Sequence, residues 1–122
     1  MKILSASGSA GFALLVCLTA ALGSPTDPAS LEFFEKEIRP LLANHCYECH
    51  SADTATPFAG LRLDRRDDLI KGGVSGPAIV LGKPAESPLI HRVQGRPALM
   101  PPTGALSDAQ IQSLIELSLI HI

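Results

Sequence analysis

Leu31, Phe34, Ile38, Leu41 and Leu42 recur three and four residues apart, the spacing of one apolar stripe on a helix over residues 31–44. Glu32, Glu35, Lys36, Glu37 and Arg39 take the other face, and Asp27 or Ser30 supplies the cap. Phe33 and Phe34 read as core packing. Pro40 interrupts the repeat and predicts a kink or a restart, because a proline inside a helix removes one donor and crowds the preceding turn.

Beyond this helix the periodic pieces are short. Residues 51–60 read as loop and 61–63 as an extended piece or turn. Residues 64–70 predict one or two helical turns closed by Gly72 and Gly73. Residues 74–84 are rich in Gly and Pro and read as irregular. Ser87-Pro88 pairs an N-cap with a first-turn proline and opens a helix through Val93, with Leu89, Ile90 and Val93 inward. Residues 94–104 are loop. Ser107-Asp108-Ala109-Gln110 is a capping box for a last helix with Ile111, Leu114 and Ile115 as its stripe. The pattern predicts a small all-α domain, loop-rich and without a sheet.

The first stretch belongs to none of this. From Ile3 to Thr26 there is no charge, and Ala21-Leu22-Gly23 gives the small-x-small pattern of a cleavage site. Residues 1–23 therefore read as a secretory signal peptide, and the mature chain as periplasmic or secreted. Removing those 23 of the 122 residues leaves 99, one domain and too few for a doubly wound fold or a TIM barrel. Residues 24–30 form a polar lead, 31–117 the domain, and 118–122 an atypical apolar tail that reads as cut short. No later run is apolar enough to span a bilayer. Lys2 is the one charge in the leader, so the remainder holds 9 Lys+Arg against 12 Asp+Glu. With no basic stripe and few aromatics, nucleic-acid binding has no support.

Cysteine content changes the picture most. Of three cysteines, Cys17 lies in the leader, which leaves Cys46 and Cys49 in Cys46-Tyr47-Glu48-Cys49-His50. In an exported chain, one Cys pair two residues apart followed at once by His reads as attachment of one covalent haem c. The gap matches the two sulfurs to the two vinyl groups of one porphyrin, and His50 then presents an imidazole to the iron. A thiol–disulfide exchange motif uses the same gap, but usually rides on a strand–helix unit that is missing here. A zinc site needs two further ligands at matched spacing. A bare disulfide across two residues is strained.

The iron's other face needs a ligand or stays open. Met100 is the only methionine after the leader, and Met100-Pro101-Pro102 stiffens its segment. A thioether on stiff backbone suits haem iron and suits electron transfer, so Met100 is the candidate distal ligand. His45, His91 and His121 compete; the alternative for Met100 is core filling. Arg62, Arg65, Arg66 and Lys71 could face haem propionates, or simply solvent.

The residues Phe33-Phe34-Glu35-Lys36-Glu37-Ile38-Arg39-Pro40-Leu41-Leu42, then Cys46 to His50, resemble the opening of the cytochrome c domain of planctomycete secreted proteins. Gly60-Leu61-Arg62-Leu63-Asp64, Ser75 to Val80, Gly82-Lys83-Pro84, Ser87 to Ile90, Met100-Pro101-Pro102 and Leu106-Ser107-Asp108 continue the resemblance in order. It implies a mono-haem electron carrier, not an enzyme, with a cytochrome c-like fold wrapped around its haem. Cys46 and Cys49 would carry the thioethers, His50 the proximal bond and Met100 the distal one. It implies as partner either a redox protein or further domains of a longer secreted chain. On that second view this chain is the haem module of a larger enzyme.

Overall fold

A computed structural model describes residues 27–120; the expected leader, Cys17 and His121 lie outside the described residues. Five short α-helices carry the fold, and the described residues form no strand beyond an isolated bridge between Gly73 and Gly76. No helix among the described residues is long and apolar enough to cross a membrane.

The first helix is one rod in three parts: α1 (Pro28–Phe33), a π-helical turn (Phe34–Ile38) and α2 (Arg39–His45). It starts earlier than the pattern predicts, because Asp27 caps it by accepting from the Ser30 N–H at 3.2 Å and Pro28 needs no donor in the first turn. The π turn is the local answer to Pro40. The helix widens before the proline and restarts at Arg39, which places Pro40 in a first turn where its missing N–H leaves no bond unmade. Phe34, Ile38, Leu41 and Leu42 are buried as the stripe predicts, but Leu31 at its head is 48% exposed. Glu35 takes the Arg39 guanidinium with both oxygens, at 2.7 and 2.8 Å, and Glu32 pairs with Lys36 on the outer face.

The middle is ordered by single residues rather than long elements. Helix α3 (Arg66–Lys71) starts two residues later than the pattern suggests and buries Leu69. The Leu69 carbonyl accepts from both Ala78 and Ile79 N–H groups, at 3.0 and 3.2 Å, which folds the irregular segment back onto α3. The reversal between them requires Gly72: its φ is +75°, and a Cβ there would lie 1.7 Å from the Gly76 carbonyl oxygen.

Ser87 precedes α4 (Pro88–Val93) but its side chain does not cap it. The hydroxyl is fully buried, donates to the Lys83 carbonyl at 2.9 Å and accepts from the Val80 N–H at 3.0 Å. It therefore satisfies the Val80 N–H and adds a second donor to the Lys83 carbonyl, which also takes the Glu86 N–H at 3.1 Å. Leu89, Ile90 and Val93 point inward as predicted.

Helix α5 (Asp108–Leu119) carries the predicted capping box between Ser107 and Gln110 and packs against the π turn and α4. Its buried stripe is Leu114, Leu117 and Ser118, with Ile111 and Ile115 only partly covered, so the inner face is rotated from the predicted one. The Ser118 carbonyl accepts from the Gly82 N–H at 2.7 Å, which ties the end of α5 to the middle segment. Ile38, Leu42, Leu69, Leu114 and Leu117 form the centre of the core.

Candidate functional site

Helix α2 ends in the Cys46–His50 turn. The N–H groups of Cys46 and Tyr47 both donate to the Leu42 carbonyl, at 2.8 and 3.0 Å, and the His50 N–H reaches back to the Cys46 carbonyl at 2.9 Å. The turn is thus an extension of the helix that Leu42 anchors in the core. Both thiols are free and half-buried.

The following segment closes around the turn. The Phe58 N–H donates to the Cys49 carbonyl at 3.2 Å, and the Thr54 hydroxyl to the Glu48 carbonyl at 3.2 Å. The Leu63 N–H donates to the His50 carbonyl at 2.8 Å. Asp64 anchors the loop from outside by accepting the Ala52 N–H at 2.9 Å.

The imidazole of His50 is fixed by the same segment. Its Nδ1 lies 3.1 Å from the Leu61 carbonyl oxygen. A carbonyl only accepts, so Nδ1 carries the proton and Nε2 keeps its lone pair. This is the tautomer and the outer-sphere bond of a metal-ligating histidine. The Leu61 role escaped sequence reasoning, because a backbone carbonyl carries no residue signature.

Burial pushes the Cys46 thiol up to about 11, with the nearby Cys49 adding in the same direction. A thiol that attacks disulfides needs the opposite, a lowered value from a positive neighbour or a helix N-terminus. Burial also raises the Tyr47 hydroxyl, with the Arg39 charge opposing it, and that hydroxyl is buried without a hydrogen-bond partner.

Met100 stands apart from this turn, in the 94–104 loop. Its N–H donates to the Arg92 carbonyl at 3.0 Å, which hangs the loop on α4. Met100 and its neighbour Leu99 are each 38% exposed, while Pro101 is buried beneath them. The structure places His50 and Met100 on separate segments, tied to different elements.

Two of the competing histidines, His91 and His45, have partners elsewhere. The Nε2 of His91 is 2.7 Å from the Ala85 carbonyl, so it donates there and holds α4 to the 3₁₀ turn Pro84–Glu86. The Nε2 of His45 faces Gln110 Nε2 on α5 at 3.4 Å. Among the described residues, no cluster of three or more His, Cys, Asp or Glu is arranged to hold a bare metal ion.

The donor set is two thiols two residues apart, one imidazole with Nε2 free, and a thioether on a distant loop. It fits a haem c: the two thiols would hold the vinyl groups and the free Nε2 would be offered to the iron. The family model described as planctomycete cytochrome C matches residues 46–104. This segment is similar to the planctomycete cytochrome C family. The matched segment begins at Cys46 and contains both thiols, His50, Leu61 and Met100. The first helix and α5, which supply much of the core around it, lie outside the match. No curated protein and no solved structure matches the chain.

Proposed function

We propose that this chain is an exported mono-haem c-type cytochrome that carries single electrons. The observation that carries the reading is the His50 Nδ1–Leu61 carbonyl bond within a turn that also offers two free thiols. When bound, the haem supplies a one-electron Fe(II)/Fe(III) couple, and the protein supplies attachment, ligation and electrostatics.

Each residue then has one task. Cys46 and Cys49 hold the porphyrin by thioethers. His50 ligates through Nε2, and the Leu61 carbonyl keeps its ring from turning and raises its basicity. Met100 is the distal ligand, favoured over His91 because the His91 Nε2 is already committed to Ala85. Leu99 and Met100 form an apolar pair that a porphyrin face would cover, keeping water from the iron. Export follows from the leader-like residues 1–23 and from the need to deliver reduced thiols outside the cytoplasm. The electron partner is a redox protein or a further domain of a longer chain.

Co-expression with a cytochrome c maturation system tests the reading. The product is expected to keep its haem after denaturation and to give a pyridine haemochrome spectrum for thioether-linked haem. Colourless protein, or haem that extracts into acidified solvent, would overturn it.

A further inference from the structure

One short segment holds both the ring and the carbonyl of His50. Residues 61–64 have no regular secondary structure, and the backbone of Leu61 is extended. The Leu61 carbonyl accepts from the His50 ring, and the Leu63 N–H donates to the His50 carbonyl at 2.8 Å. The Leu63 side chain is buried in the core. Asp64 ends the segment, and its Oδ2 accepts from the Ala52 N–H at 2.9 Å, two residues beyond His50. The segment therefore meets residues 50–52 at three places. Leu61 and Leu63 act there through their backbone, whereas Asp64 acts through its side chain.

The other carboxylate oxygen of Asp64, Oδ1, is buried without a hydrogen-bond partner, and so is the hydroxyl of Tyr47. Burial raises the Tyr47 hydroxyl most, Arg39 opposes it, and the Asp64 charge adds to the rise, so the two groups lie within electrostatic reach. They are complementary, because a carboxylate accepts and a hydroxyl donates. Unmade hydrogen bonds are costly in an interior, and one water between a donor and an acceptor satisfies both. Tyr47 stands near the start of the Cys46–His50 turn and Ala52 just past its end, so Asp64 faces both sides of it.

We propose that Asp64 and Tyr47 are positioning residues for the proximal ligand: the Asp64 carboxylate, bonded to the Ala52 N–H and through one bound water to the Tyr47 hydroxyl, keeps the Leu61 carbonyl on His50 Nδ1. Loss of that brace lets the imidazole turn and weakens its bond to Leu61. A less basic imidazole favours the ferrous over the ferric state. The effect on potential rests on the haem reading above; the brace itself stands on the contacts within residues 47–64.

In the reduced holoprotein, hydrogen exchange of the His50 Nδ1–H, followed by proton NMR, reports its bond to Leu61. Asp64→Ala should speed that exchange about tenfold, the loss of one hydrogen bond to a charged group. Asp64→Asn keeps an acceptor for the Ala52 N–H and should stay close to the wild type. Tyr47→Phe should speed the exchange less than Asp64→Ala does. Asp53→Asn, an equal change of charge on an exposed residue of the same loop, should leave it unchanged. Circular dichroism confirms that the variants fold. By spectroelectrochemistry the midpoint potential should rise in Asp64→Asn through the lost charge, and further in Asp64→Ala through the freed imidazole. Wild-type exchange in Asp64→Ala, or equal exchange and potential in Asp64→Asn and Asp64→Ala, overturns the proposal. Unchanged exchange in Tyr47→Phe overturns the Tyr47 half of it. Product without covalent haem sinks the cytochrome reading instead, and amide exchange at Leu63 in the same variants then decides the brace: faster exchange in Asp64→Ala supports it, and an unchanged rate overturns it.

Discussion

Residues 46–50 and residues 94–104 each present one candidate axial ligand, and they are held differently. His50 sits at the end of a buried helix, clamped through its ring, its N–H and its carbonyl. Met100 sits on a loop hung from α4 by its own N–H, with 38% of its surface exposed. On the proposed haem reading, His50 would be held by its ring, N–H and carbonyl, and Met100 by its N–H alone. A covalent anchor needs its thiols and imidazole in register at the moment of attachment. A distal thioether would need no such register, and the two prolines after Met100 limit the torsions it would have to freeze.

The largest effect that would break this contrast comes from the anchor. Cys46→Ser with Cys49→Ser should abolish haem that survives denaturation, read by pyridine haemochrome; retained haem would show that the turn is not the attachment point. Next is the base of the turn. Leu42 is fully buried and its carbonyl holds both Cys46 and Tyr47, so Leu42→Ala should cost about 2–5 kcal/mol by chemical denaturation and lower the yield of haem-bearing protein.

The Met100 loop should behave otherwise. Met100→Ala is expected to keep covalent haem, lower the midpoint potential and remove the far-red sulfur-to-iron absorption, whereas His91→Ala should leave that band in place. Ser87→Ala leaves the Val80 N–H without its acceptor, while the Lys83 carbonyl keeps the Glu86 N–H, and should cost about 1–3 kcal/mol without moving the spectrum. The smallest effect lies on the outer face of the first helix. The Arg39 guanidinium holds the Glu35 carboxyl below its ordinary value of 4.5. A lowered carboxylate contributes stability above its unfolded pKa and loses it as pH falls through its folded one. Glu35→Gln should therefore lower stability slightly at neutral pH, with the difference from wild type fading as pH falls below 4.5, read by chemical denaturation across pH.

Local signals were legible where one residue type solves one local problem. The capping box at Ser107 and Gln110 forms as predicted, and Pro40 marks the place where the first helix must restart. The inward set of α4 follows from its spacing. Ser87 misled, because its residue type fits a cap while the loop before it had greater need of a donor and an acceptor. The stripe of α5 was misjudged toward Ile111 and Ile115. Which face a short helix buries depends on what it meets, and α5 meets the π turn, an irregularity no periodicity announces. At the site, Cys46, Cys49 and His50 are contiguous and could be read directly, whereas Leu61 acts through its backbone and could not.

The amino-acid order by itself determined the donor set, since two thiols and an imidazole within five residues keep their spacing in almost any helical turn. It also fixed the helical class through three- and four-residue periodicity. Only the tertiary structure decided which imidazole nitrogen of His50 is free and that His91 is committed elsewhere. Those outcomes depend on hydrogen bonds from segments far apart in the chain, and chain order does not encode distance in space.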